Sequence, residues 1–166
     1  MGPREEAIFE ELYRCHAEDV FRFSLYLSGN WALAQDLTSE VFVRAWSATA
    51  PVKVVTAKAY LFTIARNLFL DSLRREPPQA ELRSTLIATR ALSPEAREEL
   101  RQTLDDLTQI AEGDRSALVM AVFEEMSHEE IARALGVSVG AVKSRIFRAR
   151  LRLSELRQQR QVRSKP

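Results

Sequence analysis

The stretch "MSHEEIARALGVSVGAVKSRIFRARL", residues 126–151, admits very few folds. Ser127 and Glu130 form an S-x-x-E capping box, so a helix opens at about His128. Ile131, Ala134 and Leu135 give that helix one apolar face. Gly136 supplies a left-handed turn, Val137 plugs the core, and Ser138 caps the next helix. A short helix, a glycine turn and a longer capped helix make a helix-turn-helix.

On a helical wheel of about 100° per residue, Val139, Val142, Ile146, Ala149, Leu153 and Leu156 converge on one face. That face is core. Roughly opposite lie Lys143, Ser144, Phe147 and Arg148, flanked by Arg145, Arg150 and Arg152. A helix that already has a core stripe has no structural need of an outward aromatic. A recognition helix in the major groove has one, because Phe lies against a thymine methyl while Arg or Lys donates to guanine acceptors. The flanking Arg residues suit phosphates, which position the helix without reading sequence. The competing reading packs Phe147 on the preceding helix and leaves the Arg residues as solubilising charge. The coincidence of turn, cap and basic face argues against it.

Helices account for the remainder too: Gly and Pro are scarce, at 5 and 6 residues, and β-branched residues rarely alternate with polar ones. Periodicity predicts helices over about 4–27, 31–47 and 57–75, with Gly29 ending the first and Asn30 capping the second. Pro51 interrupts between the second and third. Residues 76–93 are polar, hold prolines and lack a sustained stripe, which reads as a linker. Ser93 then caps a helix from Pro94 to about Ile110, and Asp114 is expected to cap another over about 115–125. The chain thus divides into a three-helix unit (1–75), a linker (76–93), a four-helix unit (94–156) and a basic tail (157–166), an all-α fold of two small domains on a flexible linker. Neither unit buries much core alone.

The net charge of +1 conceals segregation. Residues 1–41 carry eight acids and three bases, and residues 42–75 carry six bases and one acid. Residues 94–137 return to eleven acids against four bases, and residues 138–166 carry nine bases and one acid. Two basic segments, each behind an acidic one, suggest two similar tasks on one polyanion. Other classes fall away. No nucleophile–base pair, phosphate-binding glycine loop or metal cluster is in view, so neither an enzyme nor a cofactor is expected. His16 beside Cys15, and His128 in the first turn of its helix, lack ligand partners. A lone cysteine, no secretory leader and no apolar run of about 18 residues predict a cytoplasmic protein without membrane insertion.

"AQDLTSEVFVRAW" (34–46) followed by "AYLFTIARNLFLDSLRR" (59–75) resembles region 2 of bacterial RNA polymerase sigma factors. "EEMSHEEIARALGVSVGAVKSRIFRARLRL" (124–153) resembles their region 4. Both patterns in this order, with a short linker, resemble the extracytoplasmic-function (ECF) group. The resemblance implies a promoter-specificity subunit for core RNA polymerase that recognises −10 and −35 elements and assists promoter opening. It implies that the second helix docks on the clamp of the largest polymerase subunit through Asp36, Glu40 and Val43 or Arg44, while Leu37 and Val41 face inward. Ser39 departs from the Gln common there. It also implies that the 48–56 loop and third helix handle the −10 element, with Lys53, Arg66, Asn67, Arg74 and Arg75 near DNA. The −35 element falls to Lys143, Ser144, Arg145, Phe147, Arg148 and Arg152, and an anti-sigma protein is a further expected partner. Asn67 and Asp71 are spaced to support each other, and Tyr60, Trp31 and Trp46 read as packing residues. The alternative function is a dimeric helix-turn-helix regulator with an N-terminal helical sensor domain, which would bind palindromic half-sites.

Overall fold

The computed structural model describes residues 2–48, 57–75 and 90–166. The expectations for Lys53 and for linker residues 76–89 lie outside them. The described residues form seven helices: α1 (Pro3–Ser28), α2 (Trp31–Ser47), α3 (Ala57–Arg75), α4 (Pro94–Thr108), α5 (Glu112–Val122), α6 (His128–Leu135) and α7 (Val139–Arg163). The fold is all-α.

The punctuation read from the sequence sits where it was expected. Gly29 takes φ 69° and closes α1 by donating to Leu25 O. The Asn30 side chain accepts from the Leu33 N–H at 3.0 Å, opening α2. Ser93 and Ser138 cap α4 and α7, and Ser127 with Glu130 forms the capping box of α6. Gly136 takes φ 65° between α6 and α7, a conformation that costs L side chains steric strain.

Two boundaries differ. Asp114 caps nothing: α5 opens at Glu112 behind Ala111, and the Asp114 carboxylate is instead engaged by Arg148. The helix expected to end near residue 156 continues to Arg163, so most of the basic tail is α7. Leu156 is buried, and Arg160 reaches back to the buried Asp106 and to Gln102. One further turn therefore gains a tertiary anchor. Cationic side chains there also suit the helix C-terminus.

α1, α2 and α3 pack around Phe23, which stacks on Phe62 with ring centroids 4.5 Å apart. Val20, Leu27, Val41, Leu61 and Ala65 complete that centre. Trp46 sits edge-on to Phe9 and Trp31 to Phe21, as packing residues, and Tyr60 lies half-buried against the core. In the second unit α5 is the central element, burying Ala117, Val119 and Met120 beside Ile131, Val142 and Ala149. Each such Val, Ile or Met contributes about 1.5–3 kcal/mol through burial.

The two units share one apolar core. Tyr26 of α1 meets Phe123, just past α5, with centroids 4.4 Å apart. A side chain at Gly29 would lie 2.9 Å from the Thr108 Cγ2 of α4, so glycine also permits that approach. Arg115 of α5 is buried and donates to Leu27 O at the end of α1 and to Ile110 O at 3.0 Å. Burial pushes its guanidinium below the usual value, yet carbonyls at helix ends give it acceptors. Two units too small to bury a core separately have buried one together.

Candidate nucleic-acid interface

The outer face of α7 is open. Val142, Ile146, Ala149 and Leu156 are buried, whereas Lys143, Ser144 and Arg148 are exposed and Phe147 is 69% exposed. Phe147 does not pack on the preceding helix. Leu151, one turn further on, is 52% exposed and extends the apolar strip. The wheel gives it no core role, because it lies off the buried stripe between Arg150 and Arg152. The cations divide into two sets. Lys143 and Arg150 stand exposed, while Arg148 holds Asp114 through Nε at 3.2 Å and Nη2 at 3.0 Å. Asp114 holds the Arg148 guanidinium above its usual pKa. Arg145 lies half-buried over Gly113, where an added Cβ would be 3.1 Å from its Nη1. Arg152 donates to Gln109 O at 3.5 Å and lies 3.4 Å from Glu155. The N-terminal end of α5 thus orders part of the basic flank.

α3 presents a different picture. Arg66 makes a two-pronged pair with Glu112 of α5, Nε to Oε1 at 2.6 Å and Nη2 to Oε2 at 3.0 Å. Burial acts to raise the Glu112 carboxyl, but hydrogen bonds from Arg66 and Ser116 outweigh it and hold it below the usual carboxylate value. Thr63 bridges to Ala134 O of α6 at 2.9 Å. Lys58 donates to Glu124 O at 2.8 Å and lies 3.4 Å from the Glu124 carboxylate. Only the far end of the expected set is free of the second unit: Asn67, Arg74 and Arg75 are exposed. Asp71 lies 3.7 Å from Arg74, one turn away, rather than bonding Asn67.

On α2, Asp36, Glu40, Val43 and Arg44 are exposed along one edge while Leu37 and Val41 are buried. Glu40 and Arg44 pair at 3.1 Å, i to i+4. Beside this edge runs an open groove of about 890 Å³ between α1 and α2, floored by Phe9, Phe42 and Trp46 and rimmed by Glu6 and Glu10. The α1 wall escaped sequence reading. Its signal was Phe9 and Tyr13, four apart on a helix flanked there by Glu5, Glu6, Glu10 and Glu11. Among the described residues no three His, Cys, Asp or Glu side chains gather as a metal site. No helix among them is long and apolar enough to cross a membrane.

Comparison with known proteins fits this layout. Residues 12–77 match Sigma-70 region 2 and residues 97–153 match Sigma-70, region 4. The chain therefore belongs to the sigma-70 family, as an RNA polymerase sigma factor of the ECF group acting in transcription initiation. It is 30% identical to the ECF RNA polymerase sigma factor SigM of Bacillus subtilis over 152 residues, covering 89% of this chain and 93% of that one. SigL of Mycobacterium tuberculosis is 32% identical, with 92% of each chain covered. Among solved structures, CnrH in complex with the cytosolic domain of CnrY matches at a TM-score of 0.71 and 27% identity, over 93% of this chain and 90% of that one. The sigma factor RpoE, in complex with the anti-sigma factor NepR from Bartonella quintana, matches at 0.69 and 25% identity, over 90% and 96%. The region 2 match lies on the unit that a dimeric regulator would use as a sensor, which removes that alternative.

Proposed function

We propose that α7 reads the −35 element as duplex and that α3, with the loop before it, holds the −10 element as a single strand. The observation that carries this is the outward face of α7, where a 69%-exposed Phe147 stands among cations on a helix whose opposite face buries Val142, Ile146, Ala149 and Leu156. Lys143, Ser144 and Phe147 reach base edges, joined by Arg148 once Asp114 releases it; the flanking Arg145 and Arg152 hold phosphates. On α3, Asn67, Arg74 and Arg75 face DNA directly, and Arg66 joins them only when it leaves Glu112. Lys53 completes that set.

The clamp of core polymerase docks on the α2 edge of Asp36, Glu40, Val43 and Arg44. The adjoining groove of Phe9, Phe42 and Trp46, rimmed by acids, suits an amphipathic helix with a basic flank. The protein carries out no catalysis and binds no cofactor; it works in the cytoplasm, where polymerase is. One solved relative is bound by the anti-sigma factor NepR, which supports a partner of that kind here. Selectivity comes from polymerase fixing two unlike readers at one spacing, an effective-concentration gain that neither small unit has alone.

The test is reconstitution. The purified chain is mixed with core RNA polymerase and a pooled promoter library, and transcript 5′ ends are mapped. The expected result is starts sharing two upstream elements at fixed spacing. Protection of a palindrome by the chain alone, with no specific starts, would overturn the reading.

A further inference from the structure

The acidic segment 94–137 does more than solvate helix faces. Its carboxylates lie on the cations of the basic segment 42–75, across the boundary between the units. Glu112 takes Arg66, and Glu124, whose side chain is 0% exposed, takes Lys58 together with Arg22 of α1. Arg22 approaches with Nε 2.8 Å from Oε1 and Nη2 3.1 Å from Oε2. Asp19 closes the cluster from α1, 2.7 Å from Arg22 and 3.7 Å from Lys58. The next residue, Glu125, is held at φ 52°, a left-handed conformation unfavourable for a side-chain-bearing residue. That turn carries Glu124 inward and places Met126 in the core. Around the shared apolar core, paired charges add little net stability to the join, because each ion regains water on separation.

We propose that the acidic turns at the two ends of α5 are an internal counter-ion surface for α3: Glu112 and Glu124 occupy Arg66 and Lys58 in the free chain, and DNA phosphates replace them when the units part. This rests on the assignment of α3 to the −10 element, and it adds what restrains that helix beforehand. The exchange is charge-balanced, since each cation trades a carboxylate for a phosphate. The free chain is consequently a poor ligand for single-stranded DNA, although α3 is basic. Polymerase binding to the separate α2 edge does not require the latch to open first, so docking and opening are distinct events.

The experiment uses the full chain without polymerase. Donor and acceptor dyes go on the lone, exposed Cys15 of α1 and on a Gln158→Cys site exposed on α7. The same protein, unlabelled, is titrated into a fluorescent single-stranded oligonucleotide. Relative to wild type, the Glu112→Gln/Glu124→Gln double variant is expected to lose energy transfer and to bind the strand about tenfold tighter. Its affinity should also fall more steeply with salt, by about 0.7 in log–log slope for each cation released. Glu112→Gln alone leaves the buried Glu124 in place and should move both readouts the same way by less, which keeps the test open if the double variant folds poorly. Glu125→Gln removes a neighbouring exposed charge and should change neither readout. Unchanged transfer and affinity in the Glu112 variants, or an equal gain from Glu125→Gln, would overturn the proposal. A chain that opens on cue but never directs specific transcripts would instead count against the promoter assignment.

Discussion

Two basic helices of this chain are assigned to DNA, and the structure treats them in opposite ways. The outer face of α7 is bare, with Phe147 69% exposed and Lys143 free in solvent. The first half of α3 is covered, with Arg66 held by Glu112, Lys58 by Glu124, and Thr63 bonded to Ala134 O of α6. Both helices carry a buried stripe and an outward basic face, so composition alone does not separate them. The difference is what lies opposite. Among the described residues, none covers the outer face of α7 around Phe147 and Leu151. α3 faces a second unit that packs α6 against it and brings Glu112, at the start of α5, and Glu124, just past its end, onto its cations. Under the proposed assignments, the duplex reader works from the surface it already presents, and the covered single-strand reader is kept from non-specific DNA.

The comparison breaks first at the charged join. Replacing both Arg22 and Lys58 by Met leaves Glu124 buried without a cation, and urea unfolding should report a loss of about 3–5 kcal/mol. A loss under about 1 kcal/mol would mean that the join is solvated and α3 is not truly covered. On the bare side the expected effect is functional rather than structural. Phe147→Ala or Arg148→Ala should cut transcription from promoters that depend on the −35 element about tenfold, within the 1–3 kcal/mol range of a base contact, and leave core polymerase binding intact. The Phe147 change should also leave unfolding within about 0.5 kcal/mol of wild type, since that side chain supports little packing. Loss of polymerase binding instead would put the reading face elsewhere.

Smaller effects sharpen the picture. Ser127→Ala removes the cap of α6 and should cost about 1 kcal/mol in stability while lowering −35 recognition, because α6 props the recognition helix. Acid should act on the covered side. The Glu112 carboxyl is lowered from its ordinary 4.5, so its contribution to closure is present above that pH. The contribution fades as pH falls through the lower folded value. Energy transfer between the units should therefore weaken below about pH 4.5, and Glu112→Gln should remove part of that change.

Much of this was legible in the sequence, for identifiable reasons. Helix ends were read well wherever a short-range device set them: Gly29, Asn30, Ser93, the Ser127–Glu130 box, Gly136 and Ser138 each act within three or four residues. The exposure of Phe147 followed from the wheel, since one helix has only one core side. What long-range contacts decide was not legible. The last turns of α7 depend on Asp106, some fifty positions away, and Asp114 is drawn from a capping role by Arg148. The pairing of Arg66 with Glu112 shows in the sequence only as charge segregation, which suggests two tasks on one polyanion. It is equally the pattern of a chain whose acidic part covers its basic part. The groove beside α2 required knowing that α1 lies against it.

The most direct test is site-specific photocrosslinking in the polymerase-bound state. A photoreactive phenylalanine analogue is placed at position 147 on α7 or at position 67 on α3, and the complex is irradiated at a promoter found by transcript mapping. Position 147 should crosslink to duplex bases of the upstream element, and position 67 to the non-template strand of the downstream element. The second crosslink should form only once the promoter opens. Both positions crosslinking to one element, or to two symmetric half-sites, would contradict the account.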